Sequence, residues 1–211
     1  MIIPKLHYSS QGNSPKEHLE NIQNACTSGA ELVQLNLRSV SEKKYLKFAE
    51  AARENTSHFQ TRLILTDHYK LAKTVKADGV YSIPSGSSPA TIRKILYSWQ
   101  SIGATAHTLQ DCETLINSEV DYIGLGPYAG DDYVAAALGI NGYKAITDVL
   151  KTNTVILAYG NIMTADVPSL LNSGASGIML STEISDNFNL IRKYNQLLSA
   201  SAVAEQKHTF K

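Results

Sequence analysis

Four short stretches of this chain repeat one pattern, and their spacing constrains the fold more than any other feature. They are SGAELVQL at 28–35, KADGVYSI at 76–83, SEVDYIGL at 118–125 and SGASGIML at 173–180. Each starts with small or polar residues, passes one polar or acidic residue, and enters an apolar, strand-like run. With Ala30, Ala77, Val120 and Ala175 taken as equivalent, the separations are 47, 43 and 55 residues. That is too long for one strand-plus-helix unit and suits two. A second set of apolar runs should then lie between them. It does: IIPKLHY near the start, RLILTD at 62–67, QSIGAT at 100–105 and TVILAYG at 154–160.

The stretches between these eight runs carry helical periodicity. KEHLENIQNACTSG places Leu19, Ile22 and Ala25/Cys26 on one face, and Gly29 supplies a stop. SEKKYLKFAEAARE puts Tyr45, Phe48 and Ala52 on another, with Ser41 as N-cap. Ser88 followed by Pro89 is a favoured helix start. TLQDCETLIN, GYKAITDVLK, TADVPSLLNSG and SDNFNLIRKYNQLLSA continue the alternation. The strands are apolar enough to be buried on both faces, as parallel strands covered by helices must be. The expected fold is therefore α/β, a single closed (β/α)8 barrel over residues 1–200. The pattern is lost from about Ser201, so 201–211 is expected to be a flexible tail. The alternative, an open doubly wound sheet, would need a switch point or a Gly-rich nucleotide loop, and neither is in evidence.

Charge narrows the partners. Lys and Arg total 19 against 19 Asp and Glu, so no net positive field draws a phosphate backbone, and nucleic acid is not expected. A 43% hydrophobic content argues against a disordered chain. No apolar run approaches the ~18 residues of a membrane span. MIIPKLHYSS lacks the regions of a secretory signal, and Cys26 and Cys112 alone make neither a disulfide framework nor a metal site. A cytoplasmic protein is expected.

In a barrel of this kind chemistry belongs at the strand C-termini and the loops that follow. Gly160 and Asn161 after the seventh strand, and Ser181 and Thr182 after the eighth, would lie side by side. Backbone N–H groups and hydroxyls there can hold a phosphate, although Ser and Thr also serve as ordinary caps. Asp67, ending the third strand, points into the mouth in this reading. It could take part in proton transfer, bind Mg2+ completed by substrate phosphates, or cap the helix beginning at His68. His107 closes the fifth strand, either as an acid/base or as a structural residue bonded to nearby backbone. Arg38, after the second strand, could clamp an anion or pair with a neighbouring loop. The long loop GPYAGDDYVAAALG is a candidate lid, with Asp131 and Asp132 solvated and its AAAL stretch a short helical turn. The other histidines share no metal-ligand spacing.

Taken together, LVQLNLRSVSE, LILTDHYKLAKTVKADGVY, IGATAHTLQD, DYIGLGP, AYGNI and GASGIMLSTEI resemble the thiamine-phosphate synthases and their TenI relatives, in order, from about residue 5 to 195. The resemblance implies a (β/α)8 barrel and places Gln34, Asn36, Thr66 and Thr105 against the substrate. Several synthase features are altered. The Q-x-R-x-K pattern reads Gln34, Asn36, Arg38, which removes one cation and exchanges the other. The Asn-Asp pair becomes Thr66-Asp67, and the second Mg2+-associated carboxylate falls near Gly86. The Thr-x-Thr-Lys signature is replaced around Gly130–Tyr133. Expelling pyrophosphate requires that charge to be stabilised, at about 2.7–4 kcal/mol per well-placed contact, so efficient condensation is not expected. IPSGSSP resembles the TenI branch, some of whose members are thiazole tautomerases, although the catalytic His of that branch aligns with Pro127. The expectation is a thiazole-phosphate-binding protein of thiamine biosynthesis, possessing tautomerase chemistry or, failing that, weak synthase activity or ligand binding alone. Mg2+ is expected only with condensing activity, and a homodimer is expected.

Overall fold

The structure, a computed structural model, describes residues 2–38, 40–130 and 135–208, with side chains described as far as residue 200. Asp131, Asp132 and most of the altered GDDY segment lie outside the described residues. Eight parallel strands close into a barrel in sequence order: β1 (Leu6–Ser9), β2 (Leu32–Leu35), β3 (Arg62–Thr66), β4 (Gly79–Ser82), β5 (Ser101–Ala106), β6 (Tyr122–Leu125), β7 (Val155–Tyr159) and β8 (Gly177–Leu180). Closure is made by β1 against β8, with Tyr8 opposite Leu180. An open doubly wound sheet is thereby excluded.

Helices follow the strands: α1 (Pro15–Thr27), α2 (Glu42–His58), α3 (Ala72–Val75), α4 (Pro89–Arg93), α5 (Leu109–Asn117), α6 (Gly139–Leu150), α7 (Val167–Asn172), α8 (Thr182–Ser185) and α9 (Leu190–His208). Ser41 and Ser88 cap α2 and α4 as expected, accepting from Lys44 N and Thr91 N. The α9 backbone runs on past Ser201 to His208. Ala135–Leu138 form no helical turn; α6 begins only at Gly139. On α1 and α2 the buried stripe turns slightly from the expected one: His18 and Ala49 are buried, Leu19 and Phe48 only half so.

The polar residue that opens the repeated segments has a structural task. Asp78 Oδ2 accepts from Leu63 N at 2.8 Å and from Arg53 at 2.6 Å. Asp121 Oδ2 accepts in the same way from Ile102 N at 2.7 Å and Arg93 at 2.8 Å. Ser176 Oγ takes Ile156 N at 3.4 Å. Each satisfies the amide of the second residue of the preceding strand, and so ties one strand to the segment that enters the next. At the other end of the barrel, buried tyrosines from the helices reach loop and strand carbonyls. Tyr45 donates to Leu35 O at 2.9 Å, Tyr143 to Leu125 O, and Tyr194 to Ile162 O at 2.8 Å. These bonds fix the points where the loops at the C-terminal end of the barrel leave the strands.

Inside the barrel lies a layer of Leu32, Ile64, Tyr81, Tyr122, Leu157 and Met179. Tyr81 and Tyr122 stack with ring centroids 5.9 Å apart. There is room for them because Gly103 and Gly124 stand beside the two rings, where any Cβ would overlap them. His7, fully buried, meets Tyr122 edge-on at 4.9 Å. The larger apolar shell, between strands and helices, includes Val33, Leu63, Ile123 and Ile178, each contributing about 1.5–3 kcal/mol by burial.

Candidate active site

A cavity of about 810 Å3 opens at the C-terminal mouth of the barrel, in the size range of small-molecule sites. It brings together Gln34, Asn36, Arg38, Thr66, Thr105, His107, Gly160, Asn161, Ser181 and Thr182. Of the candidates read from the sequence, Asp67 alone is not among the lining residues.

The wall made by β2 and β3 is polar and incompletely bonded. Asn36 Oδ1 and Thr66 Oγ1 are buried and have no hydrogen-bond partner among the described residues. A buried polar atom left unpaired costs about 1–3 kcal/mol. Asn36 is held in place through its own amide, which donates to Ser10 Oγ at 3.1 Å. Thr105 Oγ1 donates to Tyr81 Oη at 2.9 Å on the cavity floor, and burial raises the Tyr81 hydroxyl above its ordinary range, keeping it neutral. Arg38 is exposed at the rim and forms no ion pair with a described residue, leaving its guanidinium available to an anionic ligand.

Asp67 departs from its expected orientation. The residue takes a left-handed backbone, φ 60°, and its Oδ1 accepts from Ile83 N at 3.1 Å. It therefore pins the β4–α4 loop and does not cap the helical turn that starts at His68, which has no side-chain cap. Half-burial raises its carboxyl above the usual range, against the pull of the Ile83 amide, His68 and Arg38. A Cβ on Gly86 would stand 2.6 Å from Asp67 Oδ1, so the place a second carboxylate would occupy holds only backbone. No group of three His, Cys, Asp or Glu able to hold a metal exists among the described residues. These residues do not fit the Mg2+ site that condensation would need.

His107 lines the cavity, half-buried, at the end of β5. Its amide donates to Asp111 Oδ2 at 3.0 Å, inside the capping box by which Thr108 starts α5. Its Nδ1 lies 2.8 Å from Gly126 O and 3.2 Å from Tyr159 Oη. A carbonyl can only accept, so Nδ1 carries the hydrogen and Nε2 of the neutral ring is left basic. The backbone-bonded reading of His107 is the one seen, and that bond fixes the hydrogen on Nδ1.

The β7 and β8 loops do lie side by side, but the Ser181 and Ile162 amides and the Ser181 hydroxyl are taken. Ser181 N donates to Glu183 Oε2 at 2.6 Å, and Ile162 N donates to Glu183 Oε1 at 3.4 Å. Ser181 Oγ donates to Ser9 O at 3.0 Å and accepts from Gln11 Nε2 at 2.5 Å. Neither the amide nor the hydroxyl of Ser181 is open to a ligand in this arrangement. Gly160, at φ 101°, uses its freedom against its own chain: a Cβ there would come 2.7 Å from Pro127 Cβ. Glu183, Gln11, Tyr81 and Tyr159 also line the cavity and were not among the sequence candidates. Only Glu183 left a signal, as an acid placed two residues after the serine of an anion loop.

A parallel (β/α)8 barrel with a polar cavity at the strand C-termini places its candidate small-molecule site where barrels of this fold carry theirs. The profile of the family described as thiamine monophosphate synthase matches residues 8–184, and the chain belongs to that family. The thiamine-phosphate synthase of Flavobacterium johnsoniae is 31% identical over 208 residues, covering 94% of this chain and 98% of that protein. That of Flavobacterium psychrophilum is 32% identical over 203 residues, covering 92% and 98%. A thiamine phosphate pyrophosphorylase from Pyrococcus furiosus superposes with a TM-score of 0.80 over 92% of this chain and 96% of that one; at 20% identity the likeness concerns the fold. No described helix is long and apolar enough to cross a membrane.

Proposed function

We propose that this protein binds a thiazole phosphate in the barrel mouth and moves a proton on it, as a thiazole tautomerase does, rather than condensing it with a pyrimidine. The observation that carries the reading is His107, whose Nδ1 is committed to Gly126 O while the ring lines the cavity. In the tautomerisation, Nε2 takes the ring proton of the non-aromatic thiazole phosphate carboxylate and returns one where aromatic conjugation is completed. The ligand is isomerised and His107 ends as it began. Tyr159 Oη, beside Nδ1, supports the imidazolium between the two steps. Arg38 faces the carboxylate, Asn36 and Thr66 line one wall, and Gln34 and Thr105 shape the floor. The phosphate ester lies toward Gly160, Asn161 and Thr182.

The named activity of the relatives supports the ligand class, and the altered metal end argues against their reaction. Asp67 is clamped to Ile83 and Gly86 stands opposite, so the stabilisation of a leaving pyrophosphate is missing. The reading includes a cytoplasmic homodimer, checked by sedimentation and fractionation. The activity test is direct. Purified protein is given the thiazole phosphate carboxylate tautomer, and separately pyrimidine pyrophosphate, thiazole phosphate and Mg2+. Conversion to the aromatic thiazole in the first assay, with no thiamine phosphate in the second, is expected. Thiamine phosphate formed at a synthase's rate would overturn the proposal, and binding without turnover in either assay would reduce it to a ligand-binding role.

A further inference from the structure

We propose that Glu183 sets how strongly this cavity takes a phosphate, because its carboxylate already occupies the place where the phosphate would bind. This rests on the ligand reading above and adds what decides between the phosphorylated and unphosphorylated forms of that ligand.

Two amides from different loops, Ser181 N after β8 and Ile162 N after β7, converge on one carboxylate, at 2.6 and 3.4 Å. Backbone donors held by two strands and aimed at one point make an anion cradle. In this chain the anion is internal. Glu183 is also the one acidic side chain among the described cavity-lining residues, and the lining cations and histidine, Arg38 and His107, follow β2 and β5. The neighbouring Ser181 hydroxyl is saturated by Ser9 O and Gln11 Nε2, so it offers no substitute donor.

The consequences differ for two ligand groups. A phosphate can use these amides only by expelling Glu183, and it must then share the wall with the displaced negative charge. A hydroxyl displaces nothing: it donates to a Glu183 oxygen while both amides stay bonded. An open cradle rewards the phosphate strongly, whereas this one, with two of its amides taken, leaves the phosphate ester a smaller advantage over the alcohol. Glu183 is thus a specificity residue that acts by occupancy, without touching the reacting atoms.

The test uses hydroxyethylthiazole, its phosphate and inorganic phosphate as calorimetric probes of the full chain, with E183A and E183Q as variants and melting curves confirming that each is folded. Wild type is expected to favour the phosphate ester over the alcohol by a smaller factor than E183A does. E183A opens both amides and should gain about tenfold or more for the phosphate ester and for inorganic phosphate, while losing a few-fold for the alcohol. E183Q, isosteric but uncharged, should fall between. Inorganic phosphate separates this proposal from the ligand reading. If E183A binds it and wild type binds it at least tenfold more weakly, the proposal stands even if no thiazole binds either protein. Equal phosphate affinity in the two proteins, or none in either, overturns it whatever the thiazole ligands do.

Discussion

His107 Nδ1 and the carbonyl oxygen of Gly126 are 2.8 Å apart, and this bond between the end of β5 and the end of β6 decides which imidazole nitrogen can act as a base. Replacing His107 by Gln preserves a donor to Gly126 O but removes the basic ring nitrogen. Tautomerisation should fall by about 10²–10⁴-fold, with ligand affinity changed by only a few-fold. Tyr159→Phe should cost less, about tenfold, since it removes support for the cation and not the base itself. Single-turnover rates with calorimetric affinities measure both, and an H107Q variant of unchanged rate would take His107 out of the mechanism.

Folding stability should depend on pH through His7. Burial inside the barrel, with a smaller effect from Arg62 and against a backbone bond at Pro4, brings this histidine from 6.5 down to about 3. The folded protein therefore keeps His7 neutral where the unfolded chain protonates it. The stability this represents is complete above pH 6.5 and is lost progressively as pH falls from 6.5 toward 3. His7→Asn should flatten that loss. Urea unfolding of both proteins at about pH 7 and about pH 5 tests it, and parallel slopes would exclude His7 as the source.

Asp121 binds the Ile102 amide and Arg93 through the same oxygen. The ion pair is about one-third exposed at each partner, so it contributes little on its own. Most of the loss in Asp121→Ala should come from the amide left unpaired, about 1–3 kcal/mol, against at most about 1 kcal/mol for Arg93→Ala. Because Asp121 lies at the end of the barrel away from the cavity, ligand affinity should not change. Equal destabilisation by the two substitutions would show that the ion pair dominates after all.

Gly160→Ala places a methyl 2.7 Å from Pro127 Cβ on a backbone at φ 101°. Both strain and overlap act, and a loss of about 2–4 kcal/mol in unfolding free energy is expected. Since Ala129 N donates to Gly160 O at 3.1 Å, the same substitution should loosen the β6–α6 loop and raise amide exchange at Ala129. Hydrogen exchange unchanged at that residue would show that the overlap is absorbed elsewhere.

Much of the architecture was legible because its causes are local and repeated. The polar residue before the apolar run in KADGVYSI and SEVDYIGL is there for the strand amide it must satisfy, and doubled strand–helix spacing follows from closing eight strands in order. Ser41, Ser88 and Thr108 mark helix starts for the same kind of reason, one side-chain oxygen meeting one unpaired amide nearby. The strand ends then told where a site would lie, and nearly all of the candidate residues do line one cavity.

What the chain pattern could not convey was the direction of individual side chains. Asp67 follows β3 as expected, yet a left-handed backbone turns it to Ile83 and away from the cavity. Ser181 lies where an anion loop needs it, yet Glu183, two residues away, and the Ser9 carbonyl at the end of β1 consume its donors. Repetition along the sequence determined the barrel, because each strand answers to its immediate neighbours. Which donors remain open to a ligand is set by competition among side chains distant in sequence, and only their arrangement in three dimensions decides it.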